Sequence, residues 1–218
     1  NIRRNEQMKH INKKLAALFL VLVVAVGATA CGSTIGDMDI AKGESAVYIQ
    51  EDGKVSYGVA EKFDKDYYDE SKLEDTINKE VADYNDGKKA SVKNAITVDT
   101  FKVKSDVATL VLEFATTYDF STYIKEYNKV ESNEFFMGKI ADNSDCKIKG
   151  DFTSPDKKKD ATTKEIKAME DANILIIKGK YKVQLDEDVK YISSNCSVDD
   201  DGIVTTDDSD ENLSYIVY

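Results

Sequence analysis

The chain has 218 residues and carries 41 acidic against 30 basic side chains, a formal net charge of −11, with three cysteines, one histidine and no tryptophan. His10 and the only arginines, Arg3 and Arg4, lie in the first ten residues. Beyond them a Ser-His-Asp or Cys-His nucleophile, a His-containing zinc, iron or copper site, and bidentate guanidinium capture of phosphate are all excluded, and the acidic balance excludes a nucleic-acid partner.

In chain order, Lys13 and Lys14 precede an unbroken apolar run from Leu15 to Val26, followed by Gly27 and by Ala28-Thr29-Ala30-Cys31. A positive start, an apolar centre of this length and small residues before a cut describe a secretion signal over residues 1–30. Met8-Lys9-His10 is a natural beginning for it, and Arg3-Arg4 fits a translated purine-rich ribosome-binding site, which places the true start at Met8. A twin-arginine signal at Arg3-Arg4 is the competing reading, although the surrounding residues do not resemble that motif. The other alternative for the apolar run is an uncleaved membrane helix. Its 16 residues before Cys31 fall short of the roughly 20 that a comfortable span needs. Under either reading the rest of the chain lies outside the membrane.

The cysteine directly after the small residues resembles the lipobox of bacterial lipoproteins, with Ala28 where that family usually has Leu. The resemblance implies a diacylglyceryl group on the Cys31 thiol and cleavage before it, with two acyl chains giving a stable anchor. The processed chain would be the 188 residues from Cys31 to Tyr218. The leader takes five of the basic residues and one of the acids with it, leaving 25 lysines against 40 acids, a net charge near −15. That charge repels anionic headgroups, so attachment would rest on the lipid and not on a polybasic patch.

Residues 31–43, with Gly32, Gly36 and Gly43 and no apolar periodicity, read as a lipidated tether. Structure then begins. Ala46 to Gln50 and Val55 to Val59 are strand-like around Asp52-Gly53, a strong hairpin signal because both turn residues tolerate positive φ. Leu73, Ile77, Val81 and Tyr84 recur on one face of a 3.6-residue period, predicting a helix capped by Asp69 or Ser71 and ended by Asn85-Asp86-Gly87. The acidic stretch Asp64 to Asp75 reads as the solvated entrance of that helix, with a cation site as the alternative.

Ile96 to Val103 and Val107 to Phe114 form a second hairpin around Lys104-Ser105-Asp106. The latter strand is apolar on both faces and so belongs inside a sheet. Asp119 is the expected cap of a short second helix with Phe120, Ile124 and Tyr127. Phe135-Phe136-Met137 is apolar with its element unresolved. Cys146 to Phe152 is a weak strand, Ser154 to Thr163 a loop with the only proline, Pro155, and Glu165 to Glu170 one or two helical turns. Ile174 to Leu185 alternates as one long strand in which Gly179 marks a bulge or a bend. Val189 to Ile192, Ile203 to Thr205 and Leu213 to Val217 continue as a meander. The unprotected apolar end, Leu213 to Tyr218, is expected to be paired within the sheet, with Ile203 to Thr205 as its neighbour.

This order has no βαβ rhythm. It predicts one α+β domain over residues 44–218, an antiparallel β-sheet meander with two or three helices packed on one face. The lipobox, the hairpin at Asp52-Gly53, the following helix and the closing meander Val189 to Val217 together resemble cell-surface lipoproteins of Gram-positive bacteria of unassigned activity and, more loosely, the LppM-type lipoprotein domain. That family supplies no catalytic residues to carry over.

Three further constellations remain. Ser197-Val198-Asp199-Asp200-Asp201-Gly202 echoes a calcium loop, but Ser197 stands at position 1 and Asp208 where a bidentate Glu is wanted. A hairpin turn at Asp201-Gly202 is the preferred reading. Asp207, Asp208, Asp210 and Glu211 form another acidic loop. Cys146 and Cys196 are the candidate disulfide, worth about 4 kcal/mol by loop entropy; two small buried hydrophobes are the alternative. No catalytic residue, cofactor or metal is expected. The function expected is that of a lipid-anchored, extracytoplasmic, non-catalytic protein that meets another protein or a cell-wall component. The alternative is a small carboxylate-dependent hydrolase or ligand-binding lipoprotein, which needs two convergent acids in a cleft.

Overall fold

A computed structural model of the protein describes residues 33–207, 209 and 212–218. The expected signal peptide with its start at Met8, the lipidation residue Cys31, and Asp208, Asp210 and Glu211 of the acidic loop lie outside the described residues.

Two hairpins and an amphipathic helix build the first half. Strands β3 (Glu44–Ile49) and β4 (Val55–Lys62) flank a turn in which Gly53 takes φ +83°. Helix α1 (Glu70–Asn85) starts where the Asp69 carboxylate accepts from the Lys72 N–H, and it buries Leu73, Ile77, Val81 and Tyr84. Strands β5 (Ile96–Lys104) and β6 (Val107–Phe114) join through Ser105 and Asp106, both at positive φ, the geometry that a two-residue hairpin turn requires. β6 is an inner strand, between β4 and β5. Helix α2 (Thr117–Glu126) follows. Its cap is Thr116, whose hydroxyl accepts from the Asp119 N–H, so the expected Asp119 cap is one turn out of place.

Strands β7 (Phe136–Lys139), β8 (Asp151–Thr153) and β9 (Asp160–Thr162) come next. The apolar Phe136-Met137 is therefore strand, and the expected loop from Ser154 is the tip and return strand of a hairpin. Helix α3 (Thr163–Ala168) is opened by a reciprocal Thr162–Glu165 capping box. The remaining strands are β10 (Asn173–Lys178), β11 (Lys182–Leu185), β12 (Tyr191–Ser193), β13 (Ser197–Val198), β14 (Val204–Thr205) and β15 (Leu213–Val217).

The architecture is α+β and dominated by antiparallel pairing, as expected, but its strands form two large sheets and not one meander. One has the order β13-β14-β11-β3-β4-β6-β5, the other β7-β10-β15-β12-β8-β9. The separation is made at Gly179. The alternating run Ile174 to Leu185 breaks there at φ +93°, sending β10 to the six-stranded sheet and β11 to the seven-stranded one, where β11 runs parallel to β3. Thr206 clamps the crossing: its hydroxyl donates to the Gly179 carbonyl at 2.6 Å and accepts from the Tyr181 N–H at 2.8 Å.

One core joins the inner faces of both sheets to the apolar stripes of α1 and α2; Phe120 sits in it against Tyr57, Phe114 and Phe135. The opposite face of the six-stranded sheet carries a second cluster, covered by Ile140, Ile148 and Ile166 of α3. The helices thus do not share one face.

The most consequential correction concerns the expected tether. Residues from Ser33 onward fold as a hairpin, β1 (Ser33–Ile35) and β2 (Met38–Ile40), which turns at Gly36. Ile35, Met38 and Ile40 are buried on a floor of Ala46, Ala60 and Val111 on the outer face of the seven-stranded sheet. Gly58 completes that floor, where an added Cβ would come within 2.4 Å of both Ile35 Cδ1 and Ile40 Cδ1. Three apolar side chains in eight residues give no helical period, and their pairing becomes visible only when the floor that receives them is in place.

Candidate functional site

Surface carboxylates gather where the β3–β4 turn meets the end of β11. Gln50, Glu51, Asp52 and Asp186 line an open cleft of about 440 Å³. Strand pairing sets its geometry, because Leu185 lies beside Ile49 and the Asp186 N–H donates to the Ile49 carbonyl. Asp186 accepts from the Tyr48 hydroxyl at 2.7 Å and from the Glu51 N–H at 3.1 Å. Asp52 accepts from the Lys54 backbone at 3.1 Å and from its ammonium at 2.6 Å. The Tyr48 hydroxyl is pushed up to about 12, first by donating to Asp186 and then by burial, so it stays protonated at neutral pH and serves as a donor. This cleft is a concave acidic surface in which Asp52 and Asp186 already hold local partners.

Asp119 is the other concentrated polar centre. It is fully buried, and its carboxylate accepts from the Tyr84 hydroxyl at 3.0 Å, the Ser91 N–H at 2.9 Å, the Ser91 hydroxyl, and the Thr116 hydroxyl at 2.6 Å. Burial alone would raise its pKa, yet the donors of Ser91, Thr116 and Tyr84 outweigh that and hold it below the usual carboxylate value. Every donor comes from the protein, so the arrangement joins α1, the 87–94 loop and α2 and has the form of a structural node. Its trace in the sequence is Thr116-x-x-Asp119, a capping-box spacing.

Carboxyls raised by burial occur at Glu61, Glu80 and Glu113. They do not converge as a hydrolytic pair would. Glu61 of β4 continues the Val55, Tyr57, Val59 face, Glu113 of β6 lies on the opposite face and accepts from the Ser56 hydroxyl at 2.9 Å, and Glu80 is on α1.

At the expected calcium echo, Ser197 and Val198 form a strand, Gly202 turns at φ +80°, and Asp199 Oδ1 accepts from the N–H groups of Asp201 and Ile203. The loop is the hairpin turn, with that carboxylate spent on its own backbone.

Cys146 and Cys196 are free thiols, which corrects the candidate disulfide. Cys146 packs with Ile174, Ile176 and Val217, whereas Cys196 lies against the core that contains Leu175, Ile177 and Ile216. Alternate residues of one strand point to opposite faces, so the six-stranded sheet stands between the two sulfurs. Burial raises both thiols above their ordinary value, which makes them poor nucleophiles. Alkylation of denatured, unreduced protein is expected to label both cysteines, as read by peptide mass mapping. Recovery of a Cys146–Cys196 cross-linked peptide would contradict the packing.

Scans against protein-family models, curated proteins and solved structures each returned no match.

Proposed function

We propose that the chain is a lipid-anchored, extracytoplasmic protein that presents its domain to another protein or to an envelope component, without chemistry of its own. The observation that carries this reading is Ala28-Thr29-Ala30-Cys31 at the end of the Leu15 to Val26 run. Two features of the domain support it. Its buried acid, Asp119, is consumed by protein donors, and its raised carboxyls lie apart on different faces. The acidic cleft at Glu51, Asp52 and Asp186 offers a surface for a cationic or hydrogen-bonding partner.

The test is expression with the complete leader in a Gram-positive host fed labelled palmitate. Wild-type protein should take up the label, partition into detergent and show a diacylglyceryl mass on Cys31, and Cys31→Ser should abolish all three. An unmodified Cys31 in processed protein would refute the anchor.

A further inference from the structure

We propose that one end of the seven-stranded sheet lies against the membrane, with Phe63, Tyr67 and Tyr68 in the headgroup layer and the acidic cleft facing outward. The proposal rests on membrane attachment upstream of Ser33, by a lipid on Cys31 or by the apolar run itself, and adds to it a fixed orientation.

The leash is short. Were residues 31–43 a flexible tether, 13 residues would wander over about 20 Å and leave the domain free to tumble. Folded as it is, the chain is tied down from Ser33 onward, and the two steps from Cys31 reach at most about 7 Å. The tie is specific. Ile35, Met38 and Ile40 are buried against the sheet, the Gln184 side-chain amide exchanges hydrogen bonds with Asp37 at 2.8 Å each way, and the Lys182 ammonium donates to the Asp39 carbonyl at 3.1 Å and to Glu44 at 2.8 Å.

The leash reaches the end of the sheet that carries the aromatic side chains. Ser33 pairs with Ile40 at the open end of the hairpin, three residues before Gly43, whose N–H donates to the Ala60 carbonyl. β4 runs on past that point to Lys62, and the Phe63 N–H donates to the carbonyl of Asp106 in the β5–β6 turn. At this same end Phe63 stacks on Tyr68 with centroids 4.8 Å apart, and Tyr67 meets Tyr68 edge-on at 5.0 Å. Tyr67 is 65% exposed, the highest value among the large exposed apolar side chains of the described residues. Exposed Lys42, Lys62, Lys65 and Lys104 lie around the same end, where Lys62 and Lys65 both pair with Asp64 and where Asp66 and Asp106 are also exposed, so this end is close to charge balance. Tyrosine rings suit the bilayer interface, where an apolar ring with a polar tip gains most.

Glu51, Asp52 and Asp186 sit at the other end of β4, whose eight residues span about 26 Å, beyond a Debye length from the anchored end. An acidic domain held near anionic lipid is repelled least when that end points away.

The chain has no tryptophan, so a single introduced one reports from one place. Tyr67→Trp and, separately, Glu51→Trp are made in the full chain, purified from membranes and reconstituted in phosphatidylcholine vesicles with one quarter phosphatidylglycerol, with and without brominated acyl chains. The expected result is a blue-shifted emission that loses most of its intensity to bromine for Tyr67→Trp, and an unshifted, unquenched emission for Glu51→Trp. Equal quenching at the two positions, or stronger quenching at residue 51, in protein that floats with the vesicles overturns the orientation and leaves the anchor standing. Failure of both variants and of the wild type to float overturns the anchor and the orientation together.

Discussion

Deletion of residues 213–218 is expected to abolish the cooperative folded state. β15 is an inner strand of the six-stranded sheet, paired along five residues with β10 on one side and with β12 on the other. Ser214, Tyr215, Ile216, Val217 and Tyr218 are buried. Ile216 and Tyr218 enter the core between the sheets, while Tyr215 and Val217 enter the cluster on the far face. The strand therefore holds two cores at once. Tyr215 also donates its hydroxyl to the Lys147 carbonyl at 2.7 Å, and Tyr218 exchanges both backbone hydrogen bonds with Asn173. Burial of four large side chains is worth roughly 6–12 kcal/mol, comparable with the whole stability of a domain, about 5–15 kcal/mol. Circular dichroism should show no cooperative melt for the truncated chain. Melting at the wild-type temperature would mean that the strand is not paired in this way. The neighbours matter to the design of further variants, because the strand expected beside β15, Ile203 to Thr205, instead contributes β14 to the other sheet, between β13 and β11.

Asp119→Ala is expected to cost about 3–5 kcal/mol, because several buried neutral donors lose their acceptor at about 1–3 kcal/mol each. The loss strands the hydroxyls of Tyr84 and Thr116 and the N–H of Ser91 at the junction of three segments. Asp119→Asn, which retains one acceptor, should recover part of the loss. The pH dependence has a definite sign. The folded state holds this carboxyl below its ordinary value of 3.8, so the unfolded chain binds the proton more readily. Its contribution is therefore complete above pH 3.8 and disappears as the pH falls through the lower, folded value. Urea unfolding midpoints followed from pH 7 downward should fall in the wild type below pH 4, with a shallower fall in Asp119→Ala. Identical midpoints for the two proteins at pH 7 would show that the node contributes nothing.

Local patterns were legible where a segment carries its own period or turn chemistry. α1 is readable from Leu73, Ile77, Val81 and Tyr84, and its entrance from Asp69, because an amphipathic helix announces the face it will bury whatever covers it. The β3–β4 hairpin is readable from Asp52-Gly53, and the inner position of β6 from two apolar faces. The hairpin at Asp201-Gly202 belongs to the same class. Thr116 was hidden behind Asp119 because both can cap a helix, and only the packing against Tyr84 and Ser91 buries the acid and leaves the cap to the threonine.

The sequence by itself determined the α+β composition, the positions of the main helix and hairpins and the burial of the last strand. Tertiary structure decided how the strands are shared. The alternating run through Gly179 has the same period whether it stays in one sheet or crosses between two, and the clamp by Thr206 comes from 27 residues away. It also decided that residues 33–40 are part of the domain. Ile35, Met38 and Ile40 are buried because Gly58, Ala46 and Ala60 leave room for them on the sheet. A floor of small residues is a property of neighbouring strands in register, and that register exists only once the chain has folded.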